Sequence, residues 1–342
     1  MSRIRVLIVD DSLFMRAAIK KIVEGDPRFE VVGVGKDGAE GAALVASLKP
    51  DVVTMDFNMP KMNGAEAVRE IMRTKPTPVV MLSAHTREGA RETFEALSAG
   101  AVDFLTKPSG EVSADFQAIG PRLLEKLHAC AGVTPHEVKP ARARPPTVDP
   151  SLTTWPPTGP KVVVIGVSTG GPTALTRVIP ALPADIGIAV IIVQHMPAQF
   201  TTTLAERLNG LSSIDVREAQ DGDKPRRGLA LVAPGDRHLE FGDKGILKLT
   251  DGPEVNGCRP SADVTMKSAA KIFGRRAIGV IMTGMGKDGA EGMAAVRAAG
   301  GKTFAQDRAS SAIWGMPRVA IEAGVVDEVL ALDDIAGKLE KS

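Results

Sequence analysis

The chain has 342 residues, 44% of them hydrophobic, with 42 basic and 41 acidic side chains that leave a formal net charge of +1. That length suits two domains, each able to bury a core, and the balanced charge excludes a strong field directed at nucleic acid or a membrane surface. Two widely separated cysteines exclude a disulfide framework and suit a reducing compartment, and no apolar run approaches the ~20 residues of a membrane span, so a soluble, cytoplasmic protein is expected.

The first residues, Met-Ser-Arg-Ile-Arg-Val-Leu-Ile-Val-Asp, read as a buried strand rather than a signal peptide, because the apolar run is short and ends in two aspartates. Near-continuous apolar runs at Val6–Val9, Val31–Gly35, Val52–Met55, Val79–Leu82 and Val102–Leu105 predict parallel strands covered on both faces. Segments with helical spacing lie between them, among them Leu13–Glu24 and Gly38–Ser47. Five β/α repeats over residues 1–125 predict a doubly wound parallel sheet.

Residues 126–160 read as a linker. Eight prolines fall within residues 131–160, which rules out a helix or a central strand and predicts a semi-extended tether. The second domain, 161–342, is again α/β and mostly parallel. Its predicted strands are Val162–Val167, Ile188–Val193, Leu229–Ala233, Ala277–Thr283 and Lys302–Ala305. Predicted helices include Thr173–Ile179, Thr201–Asn209, Ser261–Phe273 and Gly289–Ala299. An antiparallel hairpin is expected at His238–Phe241 and Ile246–Leu249, around Gly242-Asp243-Lys244-Gly245.

In the first domain the carboxyl ends of strands carry the chemistry. Asp10 and Asp11 follow the first strand, Asp56 the third, Ser83 the fourth and Lys107 the fifth. Open α/β sheets bind ligands at this rim. Clustered carboxylates there invite a hard cation, and Mg²⁺ suits them because it keeps positions open for phosphate. Asp56 is then a candidate phosphoryl acceptor, with Lys107 neutralising the oxygens and Ser83 donating to them. Taken singly, Asp10 or Asp11 also reads as a helix N-cap and Lys107 as a solvated loop charge.

The segments Val-Asp-Asp-Ser (9–12), Met-Asp-Phe-Asn-Met-Pro (55–60), Asn63-Gly64, Leu-Ser-Ala (82–84) and Leu-Thr-Lys-Pro (105–108) resemble a response-regulator receiver domain. The resemblance implies that Asp56 takes phosphate from a histidine kinase. It implies Mg²⁺ bound by Asp11, Asp56 and the Asn58 carbonyl, with Asp10 and Lys107 in support, and Ser83 and Phe104 as a switch pair. Asn63 departs from the aspartate that many receivers carry.

In the second domain Ser168 follows an apolar strand and precedes Thr169-Gly170-Gly171-Pro172, a composition that permits a tight strand-to-helix turn. On its own this turn reads equally as a phosphate-binding turn or as a nucleophile beside helix amides. His195 follows the next strand, and Asp288 lies beyond the strand ending at Thr283. Singly, these read as a loop histidine and a helix N-cap. Together they have the roles acyl transfer needs: nucleophile, general base and imidazole-orienting carboxylate. Backbone amides around Met285 and the Ser168 turn are candidate oxyanion donors. No tight metal-ligand spacing joins His195, His238 and Asp288, so no cofactor is expected for hydrolysis.

The segments at 165–172, 193–197, Ala-Pro-Gly-Asp-Arg-His (233–238), Arg-Pro-Ser-Ala-Asp (259–263) and 282–289 resemble the catalytic domain of the chemotaxis protein-glutamate methylesterases, the CheB family. The family's triad falls on Ser168, His195 and Asp288 and its oxyanion residue on Met285. The resemblance implies hydrolysis of glutamate γ-methyl esters and deamidation of glutamines on chemoreceptors, with the unphosphorylated receiver covering the catalytic cleft. A DNA-binding regulator is disfavoured by the absence of a basic recognition helix. A noncatalytic or altered-specificity paralogue and a small-molecule esterase remain as alternatives.

Overall fold

The structure, a computed structural model, describes residues 2–107, 113–133 and 161–342. The predicted linker beyond residue 133 and Pro108 lie outside the described residues. The chain divides into two compact units, Met1–Lys139 and Pro140–Ser342.

In the first unit five strands alternate with five helices: β1 (Ile4–Val9), α1 (Leu13–Glu24), β2 (Phe29–Gly35), α2 (Gly38–Leu48), β3 (Val52–Asp56), α3 (Gly64–Thr74), β4 (Val79–Ser83), α4 (Arg87–Ala99), β5 (Asp103–Thr106) and α5 (Ser113–Cys130). The sheet is parallel, in the order β2-β1-β3-β4-β5. Chain direction across the sheet reverses between β1 and β3, and there the carboxyl-end loops part to leave a crevice. The helix starts follow from sequence. Ser12, Asp37 and Thr86 each cap with a side-chain oxygen, and Asn63 forms a reciprocal capping box with Glu66. Helix α5 corrects the expected boundary at residue 125. It continues to Cys130 because Leu127 and Cys130 are fully buried in the core with Val6, Ile8 and Val52, so residues 126–130 belong to the first domain.

The second unit contains β6 (Val162–Val167), α6 (Gly171–Val178), β7 (Ala189–Gln194), α7 (Ala198–Leu211), β8 (Asp215–Glu218), β9 (Leu229–Val232), β10 (His238–Phe241), β11 (Leu247–Thr250), α8 (Ala262–Phe273), β12 (Ala277–Ile281), α9 (Ala290–Ala298), β13 (Lys302–Gln306), α10 (Met316–Glu322), β14 (Glu328–Leu330) and α11 (Ile335–Glu340). Seven strands form a parallel sheet in the order β14-β13-β12-β6-β7-β9-β8, and β10 pairs antiparallel with β11 as the expected hairpin. Strands β6 and β7 are buried along their whole length, as their unbroken apolar runs require. Strands β8 and β14 escape prediction because they are short and charged at the sheet edges. The sheet runs outward from β6 through β7 on one side and through β12 on the other, so its switch point lies between β6 and β12.

Candidate active site and phosphoryl site

Ser168, His195 and the loop after β12 meet because three neighbouring strands end together. Val167 is in register with Gln194, and the His195 amide donates to the Val167 carbonyl at 3.1 Å. Ser168 and His195 are therefore adjacent positions just beyond the ladder, on strands that lie about 4.8 Å apart. On the other side of β6 the Ser168 amide donates to the Thr283 carbonyl at 3.0 Å. The Ser168 hydroxyl itself makes no hydrogen bond among the described residues.

Small side chains let these loops close. Gly170 caps α6 at φ +77°, in the left-handed region that glycine tolerates. A Cβ on Gly284 would lie 2.8 Å from the Ser168 Cβ and 2.4 Å from the Met316 sulfur, so only glycine admits the loop so near the serine. Thr283 ties this region together: its hydroxyl donates to the Thr169 carbonyl at 2.9 Å and accepts from the Ile313 amide at 2.9 Å. Gln194 holds the serine turn from the β7 side, donating to the Ser168 carbonyl at 3.0 Å. Met285 is half-buried in the loop between Gly284 and Gly286, and its amide has no partner among the described residues.

His195 and Asp288 are joined directly, with 2.9 Å between Nε2 and Oδ2. Their side chains are 11% and 2% exposed, so solvent screens the pair weakly. Asp288 accepts four further hydrogen bonds: from the Ser261 hydroxyl (2.6 Å), the Ala262 amide (2.6 Å), the Asn256 side-chain amide (3.2 Å) and the Asp263 amide (3.4 Å). Ser261 and the first amides of α8 place the positive end of that helix against the carboxylate. Burial alone would raise the Asp288 carboxyl, but the bonds from His195, Ser261 and Ala262 prevail and hold it down at about 2.

The other imidazole nitrogen, Nδ1, lies 3.5 Å from the Cys258 sulfur. Burial works to lower the imidazole, but its bond to Asp288 and then its contact with Cys258 push it up to about 9. In this arrangement the ring holds both protons, one shared with Asp288 and one directed at Cys258. The sequence marks Cys258 only as an unpaired thiol, and both cysteines are indeed free. It gives no sign of Asn256, Thr283 or Gln194 either, since their contacts depend on loops meeting rather than on spacing. His238 lies apart from this network, with Nε2 on the Pro253 carbonyl at 2.9 Å.

In the first unit Asp10, Asp11 and Asp56 each present one carboxylate oxygen within 4.8 Å of the others. Lys107 reaches both Asp10 (2.9 Å) and Asp56 (2.8 Å). Asp10 is fully buried, Asp56 is 7% exposed and Asp11 is exposed. Burial pushes the Asp56 carboxyl up to about 6, with Lys107 working against it and Asp10 adding to it. Hard carboxylate oxygens this close together repel one another, a divalent cation relieves that repulsion, and this cluster can bind a metal. Ser83 donates to the Gly89 carbonyl at 2.8 Å, and its own carbonyl accepts from the Lys107 amide at 2.7 Å. Phe104 is buried on β5. The Asn58 side chain donates to Glu92 at 3.1–3.2 Å. Arg16, which the sequence does not single out, donates to the carbonyls of Asp10 and Asp11 at 2.8 Å.

Comparison with known proteins assigns both halves of the chain to families. Residues 6–114 match the response regulator receiver domain and residues 163–339 the CheB methylesterase family. A protein-glutamate methylesterase/protein-glutamine glutaminase of Symbiobacterium thermophilum is 46% identical, covering 99% of this chain and 97% of that one. Its Thermotoga maritima counterpart is 44% identical, covering 98% and 97%. The crystal structure of the Thermotoga maritima CheB methylesterase catalytic domain is 41% identical and covers 54% of this chain and 98% of its own, with a TM-score of 0.53. The chain belongs to the CheB methylesterase family, with a response regulator receiver domain ahead of its catalytic domain.

Proposed function

We propose that this chain is a phosphorylation-controlled protein-glutamate methylesterase and protein-glutamine glutaminase, and that its substrates are chemoreceptors. In this reading Ser168 is the nucleophile, His195 the general base and then general acid, and Asp288 the group that orients and stabilises the imidazolium. The observation that carries it is the His195–Asp288 pair, set one register step from Ser168 at a sheet switch point.

The steps follow from these groups. A neutral His195 takes the Ser168 proton as Oγ bonds to the glutamyl carbonyl carbon. The carbonyl oxygen gains negative charge, for which the Met285 amide is the donor candidate; one such donor contributes about 3 kcal/mol to transition-state stabilisation. The imidazolium returns its proton to the leaving group, giving methanol from an ester or ammonia from an amide. Water, deprotonated by His195, then attacks the γ-glutamyl-enzyme and releases glutamate and Ser168. For the first transfer Nδ1 must exchange its Cys258 contact for the serine hydroxyl, because Nε2 is held by Asp288.

Control resides in the first domain. Asp56 accepts phosphate from a histidine kinase; Asp11, Asp56 and the Asn58 carbonyl would hold Mg²⁺, which would supply charge neutralisation at the phosphoryl oxygens. Asp10 and Lys107 support the site. Ser83 gives up its bond to Gly89 to reach the phosphoryl group, and Phe104 follows as the switch partner.

Methanol release from methylated chemoreceptor membranes tests this reading. Wild type should accelerate with a small-molecule phosphodonor, Asp56→Asn should ignore the donor, and Ser168→Ala should lose activity by at least ~10³-fold. Undiminished release by Ser168→Ala would reject it.

A further inference from the structure

The loop between β11 and α8 contains a tight reversal at Val255-Asn256-Gly257-Cys258. Val255 and Cys258 exchange both backbone hydrogen bonds, at 3.1 and 3.0 Å. Asn256 and Gly257 are both left-handed, at φ +54° and +72°. A two-residue hairpin turn requires this conformation, and Asn-Gly is the pair best suited to it. The turn aims two side chains at the catalytic pair. Cys258 faces His195, and the Asn256 amide nitrogen lies 3.2 Å from Asp288 and 2.8 Å from Asp263.

Asp263 and Asp288 are 1% and 2% exposed. Two carboxylates buried so close together repel, and one of them is driven towards its neutral form. Burial and the Asp288 charge hold Asp263 above the ordinary carboxylate range, while the Gly292 amide, donating at 2.6 Å, works to lower it. Lys267 and Glu291, paired with each other, add smaller opposing effects on Asp263. Among the described residues, Asn256 is the side chain that donates to both carboxylates. A carboxamide offers two N–H donors and no charge, so it satisfies one oxygen of each without adding to the repulsion.

We propose that Asn256 is a positioning residue for the hydrolysis. Its amide spans Asp263 and Asp288, keeps the Asp288 carboxylate ionised and turned towards His195, and so supports the imidazolium formed when Ser168 gives up its proton. This rests on the reading of Ser168, His195 and Asp288 given above. Asn256 itself transfers no proton. Without it the two carboxylates face each other directly and draw in a shared proton, and the imidazolium loses part of its counter-charge.

Asn256→Gly removes the amide while preserving the left-handed turn. In the phosphorylated full chain acting on methylated receptor membranes, kcat on the alkaline plateau of the profile should fall about 10- to 100-fold with KM within about twofold. The acid limb of the kcat/KM profile should move to lower pH. Adding Asp263→Asn removes the competing charge and should restore both kcat, at least several-fold, and the limb. Asn256→Asp keeps the turn preference but adds a third carboxylate; it should lose more than Asn256→Gly, and it carries the test if the glycine variant does not fold. Wild-type kcat and pH profile in either single variant would overturn the proposal, as would a loss that Asp263→Asn only compounds. The underlying triad reading fails separately, through methanol release that survives Ser168→Ala or His195→Gln.

Discussion

The imidazole of His195 has no free nitrogen, and that shapes its chemistry. Asp288 holds Nε2 and the Cys258 sulfur faces Nδ1, and together they push the ring up to about 9 against its burial. A general base acts only when deprotonated, so kcat/KM should rise with pH through that region, well above the ~6.5 of an ordinary imidazole. Both Asp288 and Cys258 raise the ring, each through its hydrogen bond and its charge. Cys258→Ala should therefore move the acid limb to lower pH. At pH 7 it should raise kcat/KM, by about 10-fold for each pH unit that the limb moves. A pH–rate profile of the two proteins checks this; an unmoved limb would show that Cys258 does not govern the ring. None of this is legible in the sequence. Ser168, His195 and Asp288 are nominated by the sequence as candidates, because each lies beyond an apolar strand. Cys258 and Asn256 reach the site through a turn whose neighbours in space are remote in the chain.

Among the secondary-structure elements, the site depends on loops approaching closely at the β6–β12 switch point. Gly284→Ala tests that approach. The added Cβ meets the Ser168 Cβ at 2.8 Å and the Met316 sulfur at 2.4 Å, so the loop or the serine must shift. A displacement of about 1 Å at reacting groups can cost ~10²-fold. Accordingly, kcat should fall by at least about 10-fold, beyond anything a modest loss of Tm explains; unchanged kinetics would mean that the approach is dispensable. Strand positions are readable because β6, β7, β9 and β12 are continuous apolar runs. The short edge strands β8 and β14 carry charge and have no such signature. The end of α5 is hard to place because the linker's prolines begin only at Pro135, leaving no breaker between residue 125 and Cys130.

Across the full chain, each unit has its own parallel sheet and core, and each brings candidate site residues to the point where its strand order reverses. Control of one by the other requires two states that phosphate favours unequally. Moving such a balance from 1:99 to 99:1 takes about 5.5 kcal/mol, and smaller shifts still regulate. The fragment 161–342 should therefore release methanol faster than the unphosphorylated full chain, and equal rates would reject inhibition by the first domain. The most direct test of the triad is mass-spectrometric mapping of acid-quenched enzyme mixed with methylated receptor peptide. A γ-glutamyl ester on Ser168, enriched by prior phosphorylation of Asp56, is the predicted result. Turnover with no acyl group at Ser168, or with the group on another residue, would contradict it.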